Sequence, residues 1–272
     1  MSVEAAVERW LAALPASYAL QFAVAAAVAG CFQVARAATD PVMKQLAWRL
    51  GAPSEMKADK FAHQGLNLVF HIVSTWYLYQ VIYVDELWLE RPERVWAGWS
   101  AAADQPNPPA FFVFFCFEFG YHLQRFLHVL LHRRRDDFWE MAIHHVVTVF
   151  LVGSVLIFRY HRIGMLVLFA HDSSDILICF VKMINALGLK ITSVLVFLPA
   201  CAMWFYTRLF LMPMHLIPSA AGSPPGPAKW PCVGCLAVLV LLKRPRETGT
   251  PGDHPEKRAA ADADCAIRPR GV

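Results

Sequence analysis

Six long apolar stretches run through the first 217 residues, and each is long enough to cross a membrane as a helix. A helix needs about 20 mainly apolar residues to span about 30 Å of hydrocarbon. Hydrophobic residues make up 57% of the chain and charged residues only 17%, whereas soluble domains carry about 25% charged residues. We therefore predict an all-α, polytopic membrane bundle of about six transmembrane helices, at residues 16–35, 65–84, 109–131, 141–158, 163–187 and 191–217.

The charged loops between these stretches predict an orientation. The loop after the second stretch is acidic and includes Asp104, whereas the turn after the third carries three consecutive arginines at 133–135. The positive-inside rule places the arginine turn in the cytosol, and the acidic loop and the N-terminus in the lumen. Arg159 and Arg162, in a turn predicted to be lumenal, run against this rule.

The net charge of the chain is only +4, and its basic residues lie in short clusters. This composition does not indicate nucleic-acid binding.

The amino-acid composition of the chain changes after residue 217. Residues 218–231 are rich in Pro, Gly, Ser and Ala. The apolar run at 232–242 that follows is only about 16 Å long as a helix, too short to span. From Lys243 onward the chain is polar, a composition typical of disorder. We predict three regions: an N-terminal segment with the first helix at 1–59, a helical domain at 60–217, and a tail at 218–272.

Ionisable side chains within three consecutive stretches indicate where the function resides. Each such group costs several kcal/mol in lipid unless it is paired or lines a cavity. The third, fourth and fifth stretches carry, in turn, Glu118, His122 and Arg125; His144 and His145; and His171, Asp172 and Asp175. Groups spaced four residues apart share one face of a helix. Three successive helices with polar faces predict a shared central cavity, and this interpretation is favoured over a structural network of helix contacts.

Several of these residues lie in segments that resemble a known motif. The segments are RRRDDFWEMAIHH at 133–145, RIGMLVLFAHDSSD at 162–175 and KMIN at 182–185, with a looser match, WFYTRLFLMP, at 204–213. Together they resemble the Lag1 motif, here 133–185, of the TLC family, and specifically of ceramide synthases. The resemblance implies a TLC-type helical barrel at 60–217. It also implies that the last transmembrane helix of the family is missing here, which would leave one side of the barrel open.

The resemblance implies N-acylation of a sphingoid base by fatty acyl-CoA in the endoplasmic reticulum membrane. The adjacent histidines and the two aspartates of the family map onto His144, His145, Asp172 and Asp175. Acyl-CoA would be a substrate, so no cofactor and no bound metal is expected. The expected partners are fatty acyl-CoA, the sphingoid base and membrane lipid, and the resemblance allows for a homo- or heterodimer.

The residue types suit this chemistry. A sphingoid amine is protonated at neutral pH and must lose a proton before it attacks a thioester. An imidazole can be that base, or can take the acyl group itself. We assign either role to His144 and a binding or orienting role to His145, because neighbours on a helix point about 100° apart. Asp172 and Asp175 either orient an imidazole or hold the ammonium and hydroxyl groups of the base.

Five further residues are candidates for substrate binding: His171, Arg125, Arg133, Arg134 and Arg208. The arginines at 133–135 either bind the phosphates of CoA or serve only as a topological anchor. Arg208 is placed to form a salt bridge to the cavity carboxylates. His144 and Asp172 differ in depth by about 10 Å at the helical rise, so either the cavity is long or one aspartate does not contact the histidines.

Two alternative functions fit parts of the pattern. A membrane di-iron hydroxylase or desaturase needs histidine clusters. His128 and His132 form one HxxxH motif, but Met141 stands where an HxxHH motif with His144 and His145 needs another histidine. A catalytically inactive TLC-type lipid-sensing or lipid-binding protein would share the helical bundle. Iron analysis tests the first alternative, and an assay with acyl-CoA and sphinganine tests the second.

Overall fold

Helices make up nearly all of the part of the chain that the computed structural model describes, namely residues 18–86, 88, 92–97, 99, 109–131, 138–222, 226 and 229–241. These residues belong to one compact unit, Met1–Leu242. The helices are α1 (Tyr18–Arg49), α2 (Glu55–Tyr79), α3 (Pro109–Leu131), α4 (Phe138–Phe158), α5 (His161–Ala186), α6 (Lys190–Gly222) and the shorter α7 (Lys229–Leu241). A π-helical turn, Gln80–Asp85, extends α2. The described residues contain no β-strand, which confirms the all-α prediction.

The long helices lie where the sequence predicts membrane-spanning stretches. Among the described helices, α1, α4, α5 and α6 are long and apolar enough to cross a membrane. Large apolar side chains remain exposed on the outside of the bundle, among them Val34, Ile191 and Leu195. Apolar side chains on the outer surface and polar ones inside are what a lipid environment favours. The chain is therefore an all-α, multi-pass membrane protein.

The packing of the helices determines which of them share an interior. Helix α2 packs against α5, α1 packs against α2 and α3, α3 packs against α4, and α5 packs against α6. The fully buried side chains of this core include Leu78, Phe115, Leu156, Met165 and Met212, one from each of α2 to α6. These five helices thus surround one interior, and their polar residues meet there.

Gly120 allows α1 and α3 to approach each other closely. A Cβ atom at this position would lie 2.6 Å from Val28 Cγ1 and 2.9 Å from the carbonyl oxygen of Ala25. Both distances are shorter than van der Waals contact, so a larger residue would push the two helices apart. Small residues at helix interfaces are typical of membrane bundles, because close backbone packing is a main source of helix association in lipid.

Helix α6 changes its winding along its length. It is α-helical over Lys190–Trp204, π-helical over Phe205–Leu216 and α-helical again over Ile217–Gly222. Pro213 lies inside the π-helical part, and proline lacks the N–H group that a regular α-helix needs at that position. The wider turns accommodate this loss. They also carry Arg208, which is buried.

Helical structure continues beyond residue 217, where the sequence predicts a tail. The segment Ile217–Gly222 is helical, and α7 follows at Lys229–Leu241. Pro231 is compatible with helix because it lies in the first turn of α7, where the missing N–H costs little. Pro218 directly follows the π-helical part of α6. The thirteen residues of α7 extend about 20 Å. Residues 243–272 of the predicted tail lie outside the described residues.

Helix α7 also changes the expectation of a barrel with one open side. It packs against α4 and against the π-helical part of α6, and its Leu236 and Leu239 are buried. The wall between α4 and α6 is therefore covered along the length of α7. Composition alone could not indicate this, because a helix too short to span a membrane can still pack against the side of a bundle.

The turn between α4 and α5 explains one arginine that runs against the predicted orientation. Arg162 Nη1 donates hydrogen bonds to the carbonyl oxygens of Arg94 and Ala97, each at 2.6 Å. Its guanidinium group also lies 5.9 Å from the centre of the Trp88 ring. Arg162 thus holds the loop after α2 in place. This role does not depend on which side of the membrane the turn faces, so it accounts for an arginine in a turn predicted to be lumenal.

Candidate active site

A cavity opens between α3, α4, α5, α7 and the end of α6. It encloses about 910 Å³ of empty space, its open mouth included. Most of its wall is apolar: Phe115, Leu151, Val152, Val155, Ile163, Val167, Leu168, Leu236 and Leu239. Its polar residues are His122, His144, Thr148, His171, Asp172, Asp175 and Lys229. The predicted cavity shared by the third, fourth and fifth stretches is present.

The structure separates the two adjacent histidines. His144 lines the cavity together with His171, Asp172 and Asp175. His145 is buried but does not line the cavity, and the centres of the two imidazole rings are 5.4 Å apart. His144 and both aspartates nevertheless line the same cavity.

Asp172 is held by α2, a helix in which the sequence predicts no site residue. His71 Nδ1 lies 3.0 Å from Asp172 Oδ1, and the Ser74 hydroxyl lies 2.5 Å from Asp172 Oδ2. The same hydroxyl lies 2.6 Å from Glu118 Oε1 on α3. His71 and Ser74 are three residues apart in an apolar stretch, and this spacing is the signal that could have identified them.

Two further side chains of α3 extend this network. The Tyr121 hydroxyl lies 3.4 Å from His71 Nε2, and His122 Nε2 lies 3.5 Å from Glu118 Oε2. If His71 donates from Nδ1 to Asp172, its Nε2 is the acceptor nitrogen for the Tyr121 hydroxyl. The contacts therefore agree with a neutral His71 that orients the Asp172 carboxylate.

Asp175 is held from the opposite side by α6. Arg208 Nη2 lies 3.1 Å from Asp175 Oδ1 and also donates to the carbonyl oxygen of His171 at 3.2 Å. The side chain of Arg208 is 3% exposed and that of Asp175 is 29% exposed. Arg208 thus reaches the cavity carboxylates, as the sequence suggests, but it contacts the cavity through Asp175.

His171 has a defined orientation. Its Nδ1 lies 2.8 Å from the carbonyl oxygen of Val167, one turn earlier on α5. A carbonyl oxygen only accepts, so Nδ1 carries the hydrogen and Nε2 is the acceptor nitrogen of the neutral ring.

Arg125 is not brought to the cavity, in contrast to the sequence-based expectation. Its Nη1 lies 2.7 Å from His63 Nε2 on α2. Arg36 of α1 approaches the other ring nitrogen of His63 at 3.1 Å and also donates to Asn67 Oδ1 at 2.7 Å. The reason is that α3 packs against α1 and its side chains meet those of α2, which turns this part of α3 toward those helices. Arg133 and Arg134 lie outside the described residues.

The described residues contain no group of three or more His, Cys, Asp and Glu side chains arranged to hold a metal ion. His128 of the HxxxH motif stacks on His63, with ring centres 4.8 Å apart, and His132 lies outside the described residues. Iron analysis remains the experiment that tests the hydroxylase alternative.

The TLC domain matches residues 60–243, which is more than half of the chain. The chain belongs to the TLC domain family. The match extends through α7 and includes all the cavity residues of α3, α4 and α5. The cavity of this TLC domain is thus lined by residues of α3 to α7, among them three histidines and two aspartates.

Several curated proteins are similar to this TLC-domain chain. Ceramide synthase 4 of Homo sapiens is 32% identical over 158 residues, which are 58% of this chain and 39% of that protein. Ceramide synthase hyl-1 of Caenorhabditis elegans is 30% identical over 135 residues, covering 49% of this chain and 36% of the relative. Sphingosine N-acyltransferase lag1 of Schizosaccharomyces pombe is 27% identical over 175 residues, covering 63% and 43%. The matched part spans about two-fifths of these relatives' length.

Proposed function

We propose that this TLC-domain protein is a ceramide synthase, an acyl-CoA-dependent acyltransferase that joins a fatty acyl group to the amine of a sphingoid base. The observation that carries the proposal is the cavity, where His144, Asp172 and Asp175 lie on the wall of one mainly apolar space. Such a space suits two lipid chains, and its polar residues suit the reacting groups. The names of the similar proteins, ceramide synthase and sphingosine N-acyltransferase, support the same reaction.

The proposed chemistry assigns a role to each polar residue of the cavity. His144 either removes a proton from the amine or takes the acyl group from the thioester and passes it on. Asp172 and Asp175 bind the ammonium and hydroxyl groups of the sphingoid base. His171 offers Nε2 as an acceptor, which suits a substrate hydroxyl. His145, buried next to His144, positions this part of α4.

The proposed setting follows from the same reaction. The substrates are fatty acyl-CoA, which supplies its own activated acyl group so that no cofactor is required, and a sphingoid base delivered from membrane lipid. We place the protein in the endoplasmic reticulum membrane with its N-terminus in the lumen, as the charged loops predict. Arg133 and Arg134 would then face cytosolic CoA. Assembly as a homo- or heterodimer is part of this proposal.

The experiment is an acyltransferase assay on membranes that contain the full chain, supplied with fatty acyl-CoA and sphinganine. The expected product is dihydroceramide, identified by mass spectrometry. His144→Ala should reduce its formation at least about a hundredfold, because it removes the base or acyl acceptor. His215→Ala is the matched control, since His215 is exposed on α6 and lies outside the cavity. It should keep the parent's activity.

Two outcomes would contradict the proposal. Activity of the His144→Ala variant within a few-fold of the parent would remove His144 from the mechanism. Binding of sphinganine to the parent protein without any dihydroceramide formation would favour the lipid-binding alternative. In both cases equal amounts of inserted protein must be verified by immunoblotting of the membrane fraction.

A further inference from the structure

The Ser74 hydroxyl lies between two carboxyl groups in the interior of the bundle. Its oxygen is 2.6 Å from Glu118 Oε1 and 2.5 Å from Asp172 Oδ2. Ser74, Glu118 and Asp172 are each no more than 1% exposed. The two carboxyl oxygens are therefore within about 5 Å of each other, away from bulk water.

The number of hydrogens limits how these contacts can form. A serine hydroxyl has one hydrogen, and an ionised carboxylate only accepts. If both carboxyl groups were ionised, one of the two short oxygen–oxygen contacts would have no hydrogen. In that contact the lone pairs of two oxygen atoms would repel each other. The two negative charges would also repel each other, because the interior has a low dielectric constant. One of the two carboxyl groups must therefore carry a proton and donate it to the serine oxygen.

The surroundings determine which of the two is protonated. Asp172 accepts a second hydrogen bond from His71 Nδ1 at 3.0 Å and lines the cavity, so its negative charge is supported. The second oxygen of Glu118 has no hydrogen-bond partner, and its nearest ionisable neighbour is His122 Nε2 at 3.5 Å. The charge is therefore better placed on Asp172, and the proton on Glu118.

We infer that Glu118 is protonated at neutral pH and, by donating to Ser74, holds Asp172 as the single carboxylate of the pair. The ordered chain of donors is Glu118 to Ser74, Ser74 to Asp172, and His71 to Asp172. Glu118 thereby acts as a positioning residue for Asp172.

The consequence for catalysis rests on the proposed function. The substrate ammonium group has three N–H bonds, and the amide product has one. In our scheme Asp172 takes the first proton: an N–H bond breaks, an O–H bond forms, and the neutral amine attacks the acyl carbon. As the C–N bond forms, the bond to the departing group breaks. If the thiolate departs, His144 takes the second proton from the nitrogen and passes it to the sulfur; if His144 carries the acyl group, its departing imidazole takes that proton. Asp172 then releases its proton through the cavity.

Polar groups of several helices surround the carboxyl pair. They are His71 and Ser74 of α2, Tyr121 and His122 of α3, Asp175 of α5 and Arg208 of α6. His144, Thr148 and His171 line the cavity that Asp172 also lines, and Arg125 of α3 and Arg36 of α1 lie near Tyr121. Arg208 is hydrogen-bonded to Asp175, and Arg125 and Arg36 contact His63. These three guanidinium groups are thus held by other side chains.

Infrared spectroscopy of the purified full chain in lipid nanodiscs tests the inference without substrate. The parent at neutral pH should show the carbonyl band of a protonated carboxylic acid, and Glu118→Gln should remove it. Glu55→Gln is the matched control, because Glu55 is exposed and paired with Lys44 at 3.0 Å; it should leave the band intact. Ser74→Ala removes the acceptor and should move the band to higher frequency. A band unchanged by Glu118→Gln, or by Ser74→Ala if the first variant does not fold, would overturn the inference.

Activity provides the second test. A glutamine N–H can donate to Ser74 as a protonated carboxyl does, so Glu118→Gln should keep kcat within a few-fold and leave the pH profile unchanged. Glu118→Leu cannot donate and should lower kcat about tenfold or more. Asp172→Asn should lose at least about a hundredfold. If Glu118→Gln loses as much as Asp172→Asn, Glu118 works as a carboxylate and the inference is wrong. If the parent forms no dihydroceramide, the proposed function fails while the infrared result still decides the protonation of Glu118.

Discussion

Asp175 and Arg208 should differ sharply in what their removal costs. The two groups are 3.1 Å apart, and the arginine side chain is 3% exposed whereas the aspartate is 29% exposed. At an effective dielectric constant of about 20, two unit charges at this distance attract by about 5 kcal/mol. Asp175→Asn leaves a guanidinium group inside the bundle whose Nε and Nη1 already have no hydrogen-bond partner. Loss of one partner of a buried pair typically costs about 3–5 kcal/mol.

The opposite substitution should be less costly. Arg208→Met removes the more buried charge and leaves Asp175 at the cavity wall, where water can solvate it. We expect a loss of about 1–2 kcal/mol, mainly from the lost hydrogen bond between Arg208 and Asp175. In the double variant Asp175→Asn with Arg208→Met both charges are absent, and a packed apolar replacement for a buried pair is often close to neutral. The double variant should therefore regain most of the stability lost in Asp175→Asn.

The assay is thermal unfolding in detergent micelles, followed by fluorescence-detected size-exclusion chromatography. A loss of about 3–5 kcal/mol corresponds to a decrease in Tm of about 6–20 °C for a chain of this size. Asp59→Asn is the control, since Asp59 is exposed and its pair with Lys44, at 2.8 Å, is worth about 1 kcal/mol or less. The double variant should be stable yet inactive, which separates the catalytic role of Asp175 from its structural role. A Tm of Asp175→Asn equal to that of the parent would refute the reasoning.

Two further predictions address the bundle and its orientation. Gly120→Ala should destabilise the protein by about 1–3 kcal/mol, because its Cβ would lie 2.6 Å from Val28 Cγ1. Gly30→Ala on α1, which meets nothing within 4 Å, should stabilise it by up to about 1 kcal/mol; equal effects in thermal unfolding would contradict the close approach of α1 and α3. A glycosylation acceptor inserted next to Asp104 should be modified in microsomes, and one next to Arg134 should not. The reverse pattern would overturn the orientation.

The positions of the long helices and the residue types of the site could be predicted from the sequence alone. Both depend on local properties, namely the length of an apolar stretch and the presence of ionisable groups within it. The predicted stretch at 109–131 coincides with α3, and the polar residues of α3, α4 and α5 do share a cavity. The contact of Arg208 with Asp175 could also be predicted, because few carboxylates are available to a cation inside the membrane.

Other features depend on how each helix is rotated and which helix lies next to it, and only the tertiary structure decided them. The sequence placed His144 and His145 together, whereas the packing of α4 directs only His144 to the cavity. Arg125 shares a face with Glu118, yet α1 and α2 turn it toward His63. His71 and Ser74 come to Asp172 from about 100 positions earlier in the chain. Periodicity determines which residues share a face of one helix, but the partner of that face is determined by packing over long sequence separations.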